Sequence, residues 1–117
     1  SGLVRGSPGA MLENVVAVSL LKTLYHREDT LGDDCRLHYL RDKEKREVDF
    51  LTVVDGAPEQ MVEVKLSSGK VTTSLRYYAG KLPSATPVQV VGSLSRAMTS
   101  AGIQIEPAAS WLAGLPA

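Results

Sequence analysis

The stretch that decides the fold is "REVDFLTVVDGAPEQMVEVKL", residues 46–66. Two apolar runs, EVDFLTVV and EQMVEVKLS, flank an Asp-Gly pair, and this arrangement predicts two antiparallel strands joined by a hairpin turn. Both runs nevertheless contain charged residues, Asp49 in the first and Glu63 and Lys65 in the second. Their presence in a sheet needs an explanation beyond packing, because a buried charge is costly unless it is paired.

Side chains along a strand alternate between the two faces of the sheet. Glu63 and Lys65 therefore share a face, and the hairpin can place Asp49 beside Glu63 on the same surface. The same alternation predicts that Asp49 shares its face with Leu51 and that Val48 lies on the opposite face.

Two carboxylates at close range repel, so one must hold a proton or a cation must lie between them. A hard divalent cation such as Mg²⁺ is suited to such a pair, since it usually takes one or two carboxylates together with water. A neighbouring ammonium can orient a water or stabilise negative charge on a phosphate. The alternative is a solvent-exposed sheet face with an ordinary cross-strand Lys–Glu pair, and the spacing alone does not decide between the two.

The rest of the chain alternates between helical and strand patterns. Apolar residues at helical spacing predict a helix from about Gly9 to Glu28. Further patterns predict a strand in CRLHYLRD, a helix in GKVTTSLRYYAGKL, strands in PVQVVGS and GIQIEP, and a closing helical turn in AASWLAGL. The expected fold class is therefore α/β, with the order α-β-β-β-α-β followed by a β-α tail and a mixed sheet of four or five strands.

The bulk properties are those of one domain, which we place at residues 9–117. The opening SGLVRGSP, residues 1–8, is typical of an expression-tag remnant. Lysine plus arginine number 13 and aspartate plus glutamate number 13, so no basic excess indicates a polyanionic partner. A single cysteine excludes an internal disulfide, and no apolar run reaches the roughly 20 residues that span a bilayer. We expect a cytoplasmic protein without a membrane partner.

The ordered set of acidic residues resembles the PD-(D/E)XK nuclease superfamily. The set consists of Glu13 in the first helix, Asp49 in the second strand and Glu63-Val64-Lys65 in the third. The segments MLENVVAVSLL, LHYLRDKEKREVDFLTV, VEVKLS and IQIEPAASWLAGL are similar to one member group. That group is the C-terminal domain of unknown function that follows the ATP-binding domain of many prokaryotic AAA-type ATPases.

The resemblance implies a restriction-endonuclease-like αβββαβ core, with a mixed central sheet flanked by helices, and a role for each acidic residue. Asp49 and Glu63 would hold Mg²⁺ or Mn²⁺, Lys65 would position the attacking water, and Glu13 would complete the carboxylate cluster. The chain departs from the superfamily at Val48, where the name-giving motif has proline. Only the aspartate of that motif supplies a ligand, so the departure leaves the site intact.

The resemblance also implies a nucleic-acid substrate and an ATP-binding domain in the parent chain. We expect the substrate to be DNA, although the sequence does not distinguish DNA from RNA. Basic residues that could contact nucleic acid are Arg41, Lys43, Arg46, Lys70 and Arg76, although their charges are interleaved with acidic residues and also fit a solvated surface. The alternative function is a non-catalytic assembly or nucleic-acid-docking module of the ATPase. The sequence leaves open whether the chain forms a homo-oligomer.

Overall fold

The first helix is defined by capping residues at both ends. In the computed structural model, which describes residues 6–116, α1 runs over Pro8–Leu31. The side-chain oxygen of Ser7 accepts a hydrogen bond from the Ala10 N–H, and Pro8 occupies the first helical position, where it loses no bond. Gly32 ends the helix in the left-handed conformation, at φ 74°.

Helix α1 is longer than predicted at both ends. Ser7 and Pro8 were assigned to the tag remnant but cap and begin the helix. Residues 1–5 of that stretch lie outside the described residues.

The remaining elements follow the predicted order, with one addition. They are β1 (Cys35–Arg41), β2 (Glu47–Val54), β3 (Ala57–Lys65), α2 (Thr73–Lys81), β4 (Thr86–Val91), β5 (Met98–Ser100), β6 (Ile103–Pro107) and α3 (Ala108–Ala113). The added element is β5, which gives the sheet six strands rather than four or five. Its three residues are too short to show the alternation by which a strand is recognised in a sequence.

The sheet is mixed and has the order β1-β2-β3-β4-β6-β5. Strands β1, β2 and β3 form an antiparallel meander, and β3 pairs with β4 in parallel through the α2 crossover. Strand β6 continues the parallel pairing, and β5 closes the edge in the antiparallel direction. The coarse prediction of an α/β fold with a mixed sheet flanked by helices is confirmed.

The core lies on both faces of the sheet. One cluster, on the α1 side, contains Val16 and Leu20 together with Val62 and Val64 of β3. The other cluster, on the α2 side, contains Leu75 and Tyr78 together with further residues of β2 and β3. The middle strands are thus covered on both faces, which is why neighbouring residues such as Met61 and Val62 of β3 are both apolar and buried.

A bulge in β2 changes the predicted alternation next to Asp49. Against β1, His38 pairs with Leu51 and Leu40 pairs with Val48, so two steps along β1 correspond to three along β2. As a result Val48 and Leu51 pack in the same α2-side cluster, whereas the alternation placed them on opposite faces. That part of the prediction was wrong, because the extra residue shifts the phase of the strand.

Candidate functional site

The carboxylates of Asp49 and Glu63 lie between β2 and β3. The regular pairing of these strands ends at Phe50 and Val62. Beyond that point, the Val64 N–H donates to Asp49 Oδ2 at 2.9 Å, and the Asp49 N–H donates to Glu63 Oε1 at 3.3 Å. Each carboxylate thus accepts a hydrogen bond from a main-chain N–H of the other strand. At this point the acidic side chains take the place of the main-chain carbonyls that would accept these bonds in a regular sheet.

Both acidic residues are buried. Asp49 is 8% exposed and Glu63 is 6% exposed. Burial disfavours the ionised form of a carboxyl group, and a second carboxylate nearby disfavours it further.

The pKa of Glu63 is raised from 4.5 to about 8. Burial is the largest cause, followed by the hydrogen bond to Asp49 and the charge of Asp49, while Lys65 and the Thr72 hydroxyl act in the opposite direction. At neutral pH and without a cation, Glu63 therefore carries a proton. Ionisation of Glu63 beside Asp49 therefore costs free energy, and a nearby positive charge would lower that cost.

The pair lies in the wall of an open cavity of about 310 Å³. The cavity is lined by residues of α1 and α2, of the β1–β2 turn, of β2 and of β3 with the residue that follows it. They are Gly9, Glu13, Lys45, Glu47, Asp49, Glu63, Val64, Lys65, Leu66 and Ser74. All four residues proposed from the sequence as the catalytic set line this one cavity.

The acidic residues do not form a complete cluster of three. Within residues 6–116, no group of three or more His, Cys, Asp or Glu side chains is close enough to hold a metal ion. Glu13 lines the cavity from α1, and Asp49 and Glu63 are joined by the hydrogen bonds between β2 and β3. Lys65 is exposed at the end of β3, where its ammonium can approach a molecule in the cavity.

A polar network that the sequence analysis did not identify supports Glu63 from the side of α2. The Thr72 hydroxyl donates to Glu63 Oε2 at 3.1 Å. Gln89, which is fully buried in β4, accepts from the Thr72 N–H at 3.0 Å and donates to the Lys70 carbonyl at 2.7 Å. In the parallel register Gln89 lies directly beside Glu63. A glutamine within the apolar run PVQVV was the available sequence signal.

The five basic residues proposed for nucleic-acid contact are dispersed. Arg46 is engaged with Asp42 at 2.7 Å and stacks 3.6 Å from the centre of the Tyr77 ring. Arg41 lies 3.5 Å from Glu47, and Arg76 lines a different cavity.

Lys43 and Lys70 are exposed but do not line the acidic cavity. The basic residue of the first hairpin that does line it is Lys45. Lys45 has a φ of 62°, in the left-handed region, and its N–H donates to the Asp42 carbonyl in the turn. The alternating charges of this hairpin do not indicate in the sequence which basic residue faces the acidic cavity. The conformation of the turn places Lys45 there.

The chain matches a known protein family. The sequence profile of DUF4143, described as a domain of unknown function, matches residues 8–111. The chain belongs to the DUF4143 family. No curated protein and no solved structure gave a significant match.

Membership of a family of unknown function was expected and is confirmed, while the links to AAA-type ATPases and to the nuclease superfamily stay predictions. In the described part of the DUF4143 domain, no helix is long and apolar enough to cross a membrane.

Proposed function

We propose that this DUF4143 domain is a metal-dependent nuclease of restriction-endonuclease-like fold that hydrolyses phosphodiester bonds in DNA. The observation that carries the proposal is the buried Asp49–Glu63 pair, with Lys65 on the wall of the same cavity. A structural ion pair would bring opposite charges together. This site instead brings two carboxyl groups together, and both can ionise only at a cost that a cation would offset.

The donor set suits Mg²⁺ or Mn²⁺. Such ions are held by one or two carboxylates together with water, so that Asp49 and Glu63 suffice without a third acidic residue. Both carboxylates also accept N–H bonds, which fix their orientation, and each oxygen has a second lone pair available. A bound ion would supply Lewis-acid activation of the phosphate. Glu13 would add negative charge from the α1 side of the cavity.

The two lysines of the cavity would act on the substrate. Lys65 would orient the attacking water and stabilise negative charge that develops on the phosphate. Lys45, on the turn across the cavity, would contact a neighbouring phosphate and position the strand. Of the residues predicted to contact nucleic acid, exposed Lys43 and Lys70 would add to the attraction of the backbone from outside the cavity.

Cleavage assays on DNA with Mn²⁺ test the proposal. Because the net charge is zero, the isolated domain has little non-specific attraction for DNA, and we expect weak cleavage. Lys65→Ala should lower cleavage by about 100-fold or more while the fold is retained, since Lys65 is exposed. The matched control is Lys22→Ala, which removes an exposed lysine of α1 outside the cavity. Equal cleavage by the Lys65 variant and wild type would refute the assignment.

A second candidate function, a non-catalytic assembly module of an ATPase, is favoured by the outer face of α1. Met11, Val15, Val18 and Tyr25 are exposed there, at intervals of three, four and seven residues that place them on one side of the helix. Such a line is typical of helix-pairing surfaces. Sedimentation of wild type and of Val18→Glu tests it: an assembly that only wild type forms, together with no cleavage and no Mn²⁺ binding, would favour this function over the nuclease.

A further inference from the structure

A buried side chain of the sheet, that of Gln89, holds the segment between β3 and α2 in place. Gln89 is fully buried, yet both ends of its amide are used: Oε1 accepts from the Thr72 N–H, and Nε2 donates to the Lys70 carbonyl. A buried amide that makes two main-chain bonds fixes the position of the segment, because losing either bond would leave a buried polar group unpaired. The segment therefore ends at one defined place, directly before α2.

Thr72 stands at that place and connects the segment to Glu63. Its hydroxyl accepts from the Leu75 N–H at 3.2 Å as the N-cap of α2, and it donates to Glu63 Oε2 at 3.1 Å. The cap bond uses a lone pair of the hydroxyl oxygen and leaves its proton available for donation to the carboxylate. Helix capping and orientation of the acidic side chain thus depend on the same oxygen atom.

We propose that Gln89 and Thr72 are positioning residues, which together hold Glu63 in the orientation that binds the divalent cation. The proposal rests on the proposed function, since it assumes that Glu63 is a ligand. In this arrangement Oε2 is held by Thr72 and Oε1 by the Asp49 N–H, so rotation of the carboxylate would break two bonds. Groups that orient a ligand from behind typically change metal affinity by 10- to 100-fold when they are removed.

Calorimetric titration of the folded domain with Mn²⁺ alone tests the proposal. Thr72→Val should bind Mn²⁺ about 10- to 100-fold more weakly than wild type, whereas Thr72→Ser, which keeps the hydroxyl, should restore wild-type affinity. Gln89→Met should weaken binding in the same direction. Its matched control is Gln104→Met, since Gln104 is an exposed glutamine of the neighbouring strand β6, and that variant should bind as wild type does.

The outcomes separate the two proposals. If wild type binds Mn²⁺ and folded Thr72→Val binds it equally well, the positioning role is overturned while the metal site stands. If wild type binds no Mn²⁺, the proposed function fails and the positioning role fails with it.

A double-mutant cycle in metal-free protein provides a second measurement. Thr72→Val and Glu63→Gln should change the unfolding equilibrium constant non-additively, because the two side chains are in direct contact. Additive effects would show that the hydroxyl does not act on Glu63, and would overturn the proposal without reference to any ion.

Discussion

Replacing Glu63 by glutamine should abolish the pH dependence that this residue imposes on stability. In the folded protein the pKa of Glu63 is raised from 4.5 to about 8 by burial and by Asp49. Between these two pH values the folded state binds a proton that the unfolded state has released. The contribution of Glu63 to the free energy of unfolding is therefore fully present below about pH 4.5 and is lost as the pH rises through about 8.

The magnitude follows from the difference between the two pKa values. One pKa unit corresponds to about 1.4 kcal/mol, so full ionisation of Glu63 would remove up to about 5 kcal/mol from the free energy of unfolding. This is a large share of the roughly 5 to 15 kcal/mol that stabilises a small domain. Glutamine resembles the protonated side chain in shape and has no charge to lose, so Glu63→Gln should not show this decrease.

Urea unfolding of metal-free wild type and Glu63→Gln, from about pH 4 to about pH 9, measures the effect. The two proteins should have similar stability near pH 4, and the variant should become progressively more stable than wild type by several kcal/mol toward pH 9. Gln104→Met, on β6, is the control, and its stability should keep the pH dependence of wild type because Glu63 is unchanged. A difference between Glu63→Gln and wild type that stays constant across this pH range would refute the assignment of a buried, protonated Glu63.

Three further predictions concern the same site and the start of α1. Asp49→Asn removes the charge opposite Glu63 but keeps an oxygen for the Val64 N–H, so the metal-free variant should be as stable as wild type. In thermal melts, Mg²⁺ should stabilise wild type but not the variant. Equal stabilisation of both proteins by Mg²⁺ would exclude a site here. Binding of Mn²⁺ at neutral pH should release up to about one proton, because Glu63 must ionise to act as a ligand, and calorimetry in buffers of different ionisation enthalpy would measure it. A binding enthalpy that is the same in every buffer would contradict this. Ser7→Ala should lower the free energy of unfolding by about 1 kcal/mol through loss of the α1 N-cap, as measured by urea unfolding, and an unchanged value would show that the cap does not contribute.

The sequence predicted the hairpin and the placement of its acidic residues because both depend on local pattern. An Asp-Gly turn between two apolar runs fixes which strands pair, and this pairing brings Asp49 next to Glu63. Neither strand β5 nor the bulge in β2 was predicted, and the reason differs between the two. Strand β5 has three residues, which are too few to show an alternation of apolar and polar side chains. The bulge arises from the pairing of β2 with β1, and the residues of β2 by themselves do not indicate it.

The contacts around Glu63 and the directions of the basic side chains could not be predicted from the sequence, because both depend on the tertiary structure. Gln89 approaches Thr72 only because β3 and β4 are parallel and in one register, which is a property of the whole sheet. Arg46 and Arg76 were grouped with the site by charge, but Arg46 is paired with Asp42 and Arg76 lines a different cavity. Arg41 is paired with Glu47, which lines the acidic cavity. Charge is visible in a sequence, whereas the direction of a long side chain is decided by its neighbours.

The reciprocal bonds between Asp49 and Glu63 also have a consequence for the order of folding. The two acidic residues belong to one hairpin, a unit that can close within about 1 to 10 μs, whereas Gln89 and Thr72 join them only after the α2 crossover has brought β4 alongside β3. Early in folding the carboxylates therefore meet in water, where their repulsion is weak. The repulsion increases only when the crossover removes that water, so the late docking of β4 and α2 is the step that we expect protons or divalent cations to accelerate.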